Sequence, residues 1–440
     1  MTEKTAEPAT TGPLTTGPLT TGPLTTRPFG MARLRRIADF VDWSPGAALR
    51  STGPVSVADL RREARRRLPR MIFDHVDGGA GQETTLQANL TDLRRVKLRP
   101  QILTPVDDVD LTAAICGQSV SMPVLLGPTG LARMSHRDGE LAAARAAARA
   151  GTVFAVSTAS SYSLEEIAAA ARGPLWFQLY LGRDRQGVRD LVRRVREAGY
   201  TALILTIDVP TGGQRLRDLR NGLNIPPRVT LRQAAETLLH PGWLADILRD
   251  PPVGFANFRS ETGVSLAQRE YSERLSSPTA TWDDLRQLRA LWPGKLLVKG
   301  VLTPSAARLA VASGVDGLIV SNHGGRQLDG VESSIAALVA IRAAVGDTAE
   351  LLLDGGIRSG VDVVKAMAAG ARGVLIGRPW VWGLAARGQA GVELCLELLR
   401  EDIERTMRLL GTPTISAIGS NHVVLPREWT EVMAGENEHG

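Results

Sequence analysis

The residue types best suited to chemistry are concentrated in one short segment, SNHGGRQLDG, running from Ser321 to Gly330. Imidazole takes up a proton near neutral pH, so His323 is a candidate general base. Arg326, three residues on, can grip a carboxylate at two points. The glycines between them leave room for a ligand beside the ring. A lone histidine is more often structural than catalytic. This one stands out because a carboxylate clamp lies next to it, and that combination suits removal of a proton from a hydroxy acid.

A second concentration lies near the C-terminus. DGGIRSG (Asp354–Gly360) and IGRP (Ile376–Pro379) place glycines and two arginines after two successive apolar runs. Glycines let backbone N–H groups approach phosphate oxygens, and Arg358 and Arg378 can add charge-assisted bonds. DGG alone is weak evidence. With IGRP it predicts a phosphorylated ligand without saying which.

These residues need a scaffold. Eight short runs rich in Val, Ile and Leu recur from Pro123 onward, ending at Gly130, Thr158, Leu181, Asp208, Gly300, Gly324, Gly356 and Pro379. Between them lie helix-like stretches, among them Gly139–Ala150, Asp184–Ala198, Pro304–Ser313 and Gly360–Ala369. Continuous apolar strands alternating with helices predict a parallel sheet covered on its faces, and eight units predict a closed (β/α)₈ TIM barrel. Active sites of such barrels lie at the C-terminal strand ends. Polar or glycine residues interrupt the runs there: Pro128, Thr129 and Gly130; Ser157; Gln178 and Tyr180; Thr206 and Asp208; Lys299; Ser321, Asn322 and His323; Asp354 and Gly356; Gly377 and Arg378.

Outside the barrel pattern, TTGPL occurs three times between Thr10 and Leu24. Its prolines and glycines oppose helix and sheet alike, so residues 1–30 are expected to be a disordered tail, with a docking role unsupported. Residues 31–56 read as a linker, 57–430 as the barrel and 431–440 as a C-terminal tail. Val57–Leu68 reads as a helix whose basic run faces solvent. Phe73–Asn89 reads as a loop and a short helix. A connection of roughly seventy residues after strand four, from Pro210 to Asp283, is long enough to be a lid or partner-binding loop. Its helix-like part, Leu231–Arg249, carries Leu238, Trp243, Leu244, Ile247 and Leu248. It is expected to pack on its own barrel, with a membrane or a neighbouring subunit as the alternatives.

Bulk properties agree with an enzyme. Hydrophobic residues make up 43% and charged residues 22%, enough apolar content for a large core. The net charge of +6 would suit nucleic acid or an anionic membrane surface, but an arginine-rich surface and an anionic ligand account for it, and no nucleic-acid partner is expected. Cys116 and Cys395 lie far apart and predict neither a disulfide framework nor a metal site. No run is long enough to span a bilayer and no signal peptide is evident, so a cytoplasmic location is expected.

With WFQLY, LTIDVP, RLRDLRNG, LLVKG, SNHGGRQLD and DGGIRSGVDVVKA all present in order, the chain resembles the FMN-dependent L-2-hydroxy-acid oxidases and dehydrogenases from about Val57 onward. The resemblance implies FMN as cofactor and oxidation of a 2-hydroxy acid to the 2-oxo acid. It implies that His323 is the base and Asp208 the carboxylate paired with it. It assigns Arg326, helped by Arg215, to the substrate carboxylate, and Tyr180 to a substrate hydrogen bond. Lys299 would lie beside the flavin where reduction builds negative charge. Gln178, Thr206 and Ser157 match flavin-contacting positions, and Asp354, Gly356, Arg358, Gly377 and Arg378 match the ribityl and phosphate region. A homotetramer is also implied.

Two positions depart from the usual pattern. His75, in FDHVDGG, stands where the family usually has a tyrosine that helps bind the substrate carboxylate, so a bulkier or different acid is a candidate substrate. Gly130, in GPTG, resembles the mandelate dehydrogenase type rather than the many oxidases with alanine there. This favours a dehydrogenase passing electrons to a quinone or other carrier over an oxidase that reduces O₂ to H₂O₂. An FMN-dependent tailoring enzyme acting on a larger hydroxylated or amino-acid-derived metabolite is a third candidate. A catalytically silent scaffold and a non-flavin phosphate-binding barrel are weaker ones, since both leave the SNHGGRQLD residues unexplained.

Overall fold

A computed structural model describes residues 53–223, 230–249, 253–258 and 280–429. The expected N-terminal tail, the linker up to residue 52 and the C-terminal tail lie outside the described residues, as does most of the irregular part of the long connection.

Eight parallel strands close into a barrel. They are β1 (Val124–Leu126), β2 (Phe154–Ser157), β3 (Leu175–Tyr180), β4 (Ala202–Thr206), β5 (Lys295–Val301), β6 (Gly317–Val320), β7 (Glu350–Asp354) and β8 (Gly373–Ile376). Each pairs with its successor, and β8 pairs back onto β1 through Val374–Val124 and Leu375–Leu125. All eight runs expected from the sequence are strands of this barrel, and the four helices named above form within a residue of their expected ends.

Strand residues point alternately to the helices and to the barrel interior. The inward set Leu125, Ala155, Trp176, Ile204, Leu297, Ile319, Leu352 and Leu375 forms an apolar cluster of its own. A hairpin, Ala113–Ile115 with Gln118–Val120, adds Ile115, Cys116 and Val120 to this cluster. The outward residues join the larger core under the helices. Two residues further along each strand, the inward positions become Gly127, Ser157, Gln178, Thr206, Lys299, Ser321, Asp354 and Gly377. The change from an apolar to a polar layer therefore follows from period-two geometry.

Among the described residues, three helices precede the barrel: α1 (Val57–Arg67), α2 (Arg70–Asp77) and α3 (Thr84–Arg95). The segment around His75, expected to be a loop, is therefore helical; Met71, Ile72 and Phe73 of α2 are buried, which stabilises the short helix through tertiary packing. The basic run of α1 is not wholly a solvated face. Arg61 forms an ion pair with Asp77, and Arg67 with Asp246.

In the connection after β4 come α4 (Leu216–Arg220), α5 (Leu231–Leu238) and α6 (Pro241–Arg249). Trp243 Nε1 donates to the Met134 carbonyl at 2.7 Å, docking α6 on the loop after β1. Leu238, Leu239 and Leu248 nonetheless stay 69%, 78% and 75% exposed. The connection thus both packs on its own barrel and shows an apolar outer face.

Candidate active site

A cavity of about 290 Å³ opens at the C-terminal strand ends. It is lined by most of the residues singled out above: His75, Pro128, Thr129, Gly130, Ser157, Gln178, Tyr180, Thr206, Arg215, Lys299, His323, Arg326, Asp354, Gly356, Arg358, Gly377 and Arg378. Asp208 and Ser321 do not line it; each holds a residue that does.

His323 adopts a left-handed backbone at φ 58° and is followed by Gly324 and Gly325 at 63° and 74°. Such a conformation is uncommon for a residue with a Cβ and persists only where surrounding contacts enforce it. The turn is held by His323 N–H donating to Ser321 Oγ (3.0 Å) and by the close fit of Gly325 on α3, where a Cβ would lie 2.6 Å from Leu86 N. The ring then meets Asp208: Nδ1 lies 3.1 and 3.2 Å from its two carboxylate oxygens. Gly300 makes room for that carboxylate, since a Cβ there would lie 2.7 Å from Asp208 Cβ. Burial alone would raise the Asp208 pKa, but His323 and Lys299 outweigh it and hold the group below the usual carboxylate range. Ionised Asp208 can only accept, so Nδ1 carries a hydrogen toward it and Nε2 is the ring nitrogen left for other partners.

Behind this pair lies a buried polar relay. Lys299 Nζ donates to Ser321 Oγ at 2.7 Å and pairs with Asp354 Oδ2 at 3.0 Å, while Ser321 Oγ donates to Asp354 Oδ1 at 2.6 Å. Burial would lower the Lys299 pKa, but Asp354 and Asp208 more than compensate, so the ammonium is held charged. The chain of bonds also explains Ser321: it supports Lys299 rather than touching the cavity.

The cavity has a cationic side with few counter-anions. Arg378 is spent on three backbone carbonyls, those of Asp77, Gly324 and Gly78. Burial and neighbouring Arg358 push its pKa down to about 9, and burial pushes Arg358 down to about 10. Burial, then Arg215 and Arg378, push Arg326 well below its ordinary value. Cations crowded in this way are relieved by anions placed among them. Gly355 and Gly356, at φ 100° and 84°, bend the chain beside Arg358, and a Cβ on Gly356 would lie 2.4 Å from Asn89 O. The helix Arg378–Arg387 begins at the same point and adds its N-terminus.

Across the cavity, Gln178 Nε2 and Thr206 Oγ1 are buried with no hydrogen-bond partner among the described residues. Buried polar atoms left unpaired are costly and call for a ligand. Two orphaned polar atoms on the strand-end layer, a fixed ammonium beside them and a glycine–arginine cradle at one end fit a flavin mononucleotide: polar ring edge, reducible ring, terminal phosphate. Lys299 and Gln178 would hold the ring, and Arg358, Arg378 and the 355–356 glycines the phosphate.

At the mouth, a second histidine–aspartate pair appears. His75 Nδ1 lies 2.9 Å from Asp218 Oδ2, which also accepts from Arg215 Nε at 2.9 Å. Arg326 Nη1 donates to the carbonyls of His75 (2.7 Å) and Gly78 (3.0 Å), which leaves the rest of its fork without a protein partner among the described residues. Tyr180 is kept protonated, because burial and Asp208 raise its pKa. Leu131, Met134, Val209 and Phe255 supply an apolar wall.

Sequence reasoning missed Asp218, Asn89 and this apolar wall. Asp218 stands three residues after Arg215, where any helix could use it for a local ion pair; its partner lies 143 residues away. Asn89 and Asn322 exchange two amide hydrogen bonds at 2.8 and 2.9 Å, tying α3 to the His323 turn, and neither residue type at that separation signals the other.

Comparison with known proteins agrees with this geometry. A family model described as FMN-dependent dehydrogenase matches residues 64–425. L-lactate dehydrogenase of Caulobacter vibrioides is 44% identical over 367 residues, covering 82% of this chain and 96% of that protein. L-lactate dehydrogenase of Xanthomonas oryzae pv. oryzae is 43% identical over 370 residues, with 83% and 95% covered. Among solved structures, that of the monotopic membrane protein (S)-mandelate dehydrogenase superposes with TM-score 0.82 at 40% identity, covering 85% of this chain and all of the other (100%). Mandelate oxidase superposes with TM-score 0.73 at 43% identity, with 84% and 98% covered.

Proposed function

The chain belongs to the FMN-dependent dehydrogenase family and is an FMN-dependent 2-hydroxy-acid dehydrogenase or oxidase; on that premise we propose that it oxidises a lactate- or mandelate-like L-2-hydroxy acid to its 2-oxo acid, with His323 as base. The observation that carries this reading is the His323–Asp208 pair sharing one cavity with Arg326 and Lys299.

Bound FMN supplies a two-electron sink. The substrate carboxylate seats on the open part of the Arg326 fork, with Arg215 nearby and the Tyr180 hydroxyl as a further donor. That places the hydroxyl and α-carbon near His323. Nε2 takes a proton from the substrate, and Asp208 stabilises the imidazolium that results. Charged Lys299 counters the negative charge that accumulates as substrate electrons leave. The apolar wall of Leu131, Met134, Val209 and Phe255 accepts the acid's side chain and admits groups larger than methyl.

The proposed acceptor is a quinone or other carrier. What supports it is Gly130, the residue that resembles the mandelate dehydrogenase type; a Cβ there would lie 2.7 Å from Ala159 Cβ, so this loop packs on the residues after β2 more closely than an alanine-bearing loop could. The alternative is transfer to O₂ with H₂O₂ formed, and mandelate oxidase is among the similar solved structures. Anaerobic addition of glycolate, lactate, mandelate and larger aromatic 2-hydroxy acids is expected to bleach the flavin's visible band for at least one acid. Slow recovery of colour on admitting air marks a dehydrogenase, rapid recovery an oxidase. A flavin that no acid bleaches would move the tailoring reaction on a larger metabolite to first place.

No helix among the described residues is long and apolar enough to cross a membrane. The exposed Leu238, Leu239 and Leu248 suit peripheral contact instead, at the inner membrane face of a cytoplasmic enzyme, in keeping with the monotopic relative. Replacing the three leucines by aspartate is expected to abolish co-sedimentation with anionic lipid vesicles while leaving turnover of a soluble acid unchanged.

A further inference from the structure

The His75–Asp218 pair is not needed as a base, since His323 already fills that role, and it stands where the substrate carboxylate arrives. Its geometry restricts what it can do. Nδ1 is 2.9 Å from Asp218, an anion held far below the ordinary carboxylate range because His75 and Arg215 outweigh its burial. Nδ1 must therefore carry the hydrogen and donate. The ring lines the cavity, its side chain is 16% exposed, and Nε2 has no partner among the described residues. A neutral His75 thus offers the cavity a lone pair, which repels a carboxylate, whereas a tyrosine at this position would offer a donor.

The charged groups facing His75 decide how this conflict resolves. From its own helix, Asp74 and Asp77 are turned to Asn221, Arg61 and Arg217. From α4 and the residue before it come Asp218 and Arg215. From the turn after β6 comes Arg326, whose Nη1 is held by the His75 carbonyl. Arg326 and Arg215 oppose a charge on the imidazole, and Asp218 favours one. A carboxylate seated on Arg326 cancels the opposing side and leaves the favouring side intact.

We propose that His75 is a proton-linked arm of the carboxylate clamp: binding of the substrate carboxylate draws one proton from solvent onto Nε2, which then donates to that carboxylate. No bond other than N–H forms, and no redox partner is involved. The effect follows from linkage: a ligand that binds the protonated form better raises the proton affinity of the site by the same factor. The inference rests on the functional reading above, because it requires a carboxylate on Arg326.

The test uses the full-length FMN-bound enzyme and phenylglyoxylate, the 2-oxo acid corresponding to mandelate, which binds without being oxidised. Calorimetry in two buffers of different ionisation heat is expected to show proton uptake on binding near neutral pH. The dissociation constant is expected to rise by up to tenfold per pH unit between the His75 pKa of the free enzyme and that of the complex. His75→Tyr keeps a donor but cannot titrate in this range; it is expected to bind with the uptake and the slope removed, any slope that remains being that of His323. Asp218→Asn, a second route should the tyrosine variant misfold, is expected to shift the weakening of binding to lower pH. Equal uptake in wild type and His75→Tyr, or none in wild type, overturns the inference. No binding of phenylglyoxylate together with no bleaching by mandelate or lactate overturns instead the functional reading beneath it.

Discussion

Two histidine–aspartate pairs face one cavity, with nearly the same contact: 3.1 Å for His323–Asp208 and 2.9 Å for His75–Asp218. Their surroundings differ. His323 sits on a left-handed turn at a strand end, with a charged lysine relay behind Asp208. His75 rides on a helix at the rim, where burial, and then Arg326 and Arg215, oppose its protonation. The comparison teaches that a histidine–carboxylate pair is not by itself a catalytic device. The groups around it decide whether it moves a substrate proton or only recognises charge.

The largest effect should come from the inner pair. His323→Ala is expected to lower kcat by about 10²–10⁴, the usual contribution of a positioned acid–base group. His75→Phe is expected to act mainly on KM. Steady-state kinetics with whichever acid bleaches the flavin checks both. If His75→Phe lost as much kcat as His323→Ala, the division of roles would be wrong.

Next comes the support of Asp208. Gly300 holds φ 102° and leaves no space for a Cβ, which would meet Asp208 Cβ at 2.7 Å. Gly300→Ala is expected to displace the carboxylate and lower kcat by up to about 10², the effect of roughly an ångström of misplacement. Far-ultraviolet circular dichroism should stay unchanged, which separates mispositioning from misfolding. A smaller effect belongs to the arginine that holds the His75 carbonyl. Arg326→Ala is expected to weaken substrate binding by about 1.5–3 kcal/mol, as for loss of a charged hydrogen-bonding partner. It should also abolish any proton uptake at His75, because the carboxylate no longer cancels a neighbouring cation.

The inner pair was legible in the sequence and the rim pair was not. His323, Asp208, Lys299 and Asp354 all stand one to three steps past an apolar strand run, and strand geometry sends such residues to the barrel's C-terminal face. The alternation was hidden only because both faces of each strand are buried, so inward Leu352 and outward Leu353 look alike until Asp354 breaks the run. Asp218 and His75 have no such frame. They lie on short helices whose relative placement depends on tertiary packing: Asn221 donating to Asp74, and Arg217 bridging to Asp77 and Glu83. His75 stands out as a departure from a resemblance, yet the sequence around it predicts a loop and does not point to Asp218. The exposed leucines of α5 and α6 show the same limit, since apolar spacing alone does not say which members of a stripe find a partner.

The smallest expected effect is on stability, and it separates the pairs by pH. Burial, reinforced by Arg326 and Arg215, holds the folded His75 pKa below its ordinary 6.5 despite Asp218. The folded state therefore binds fewer protons at this ring than the unfolded chain does. Its contribution is complete above the unfolded value and is lost as pH falls through about 6.5, at no more than about 1.4 kcal/mol per pH unit for a single group. His136 is lowered by burial too and adds a loss of the same sign. Asp208 and Asp218 are depressed carboxylates, so their contributions are present above the unfolded carboxylate pKa and disappear only in more acid solution. Between neutrality and about pH 5, the decline in Tm should thus come from the histidines. His75→Tyr removes one of them, so its Tm is expected to fall less steeply than wild type over that range, with the two curves parallel below it. Parallel curves throughout would mean that the rim imidazole binds protons as readily in the folded enzyme as in the unfolded chain, and the contrast between the two pairs would then rest on position alone.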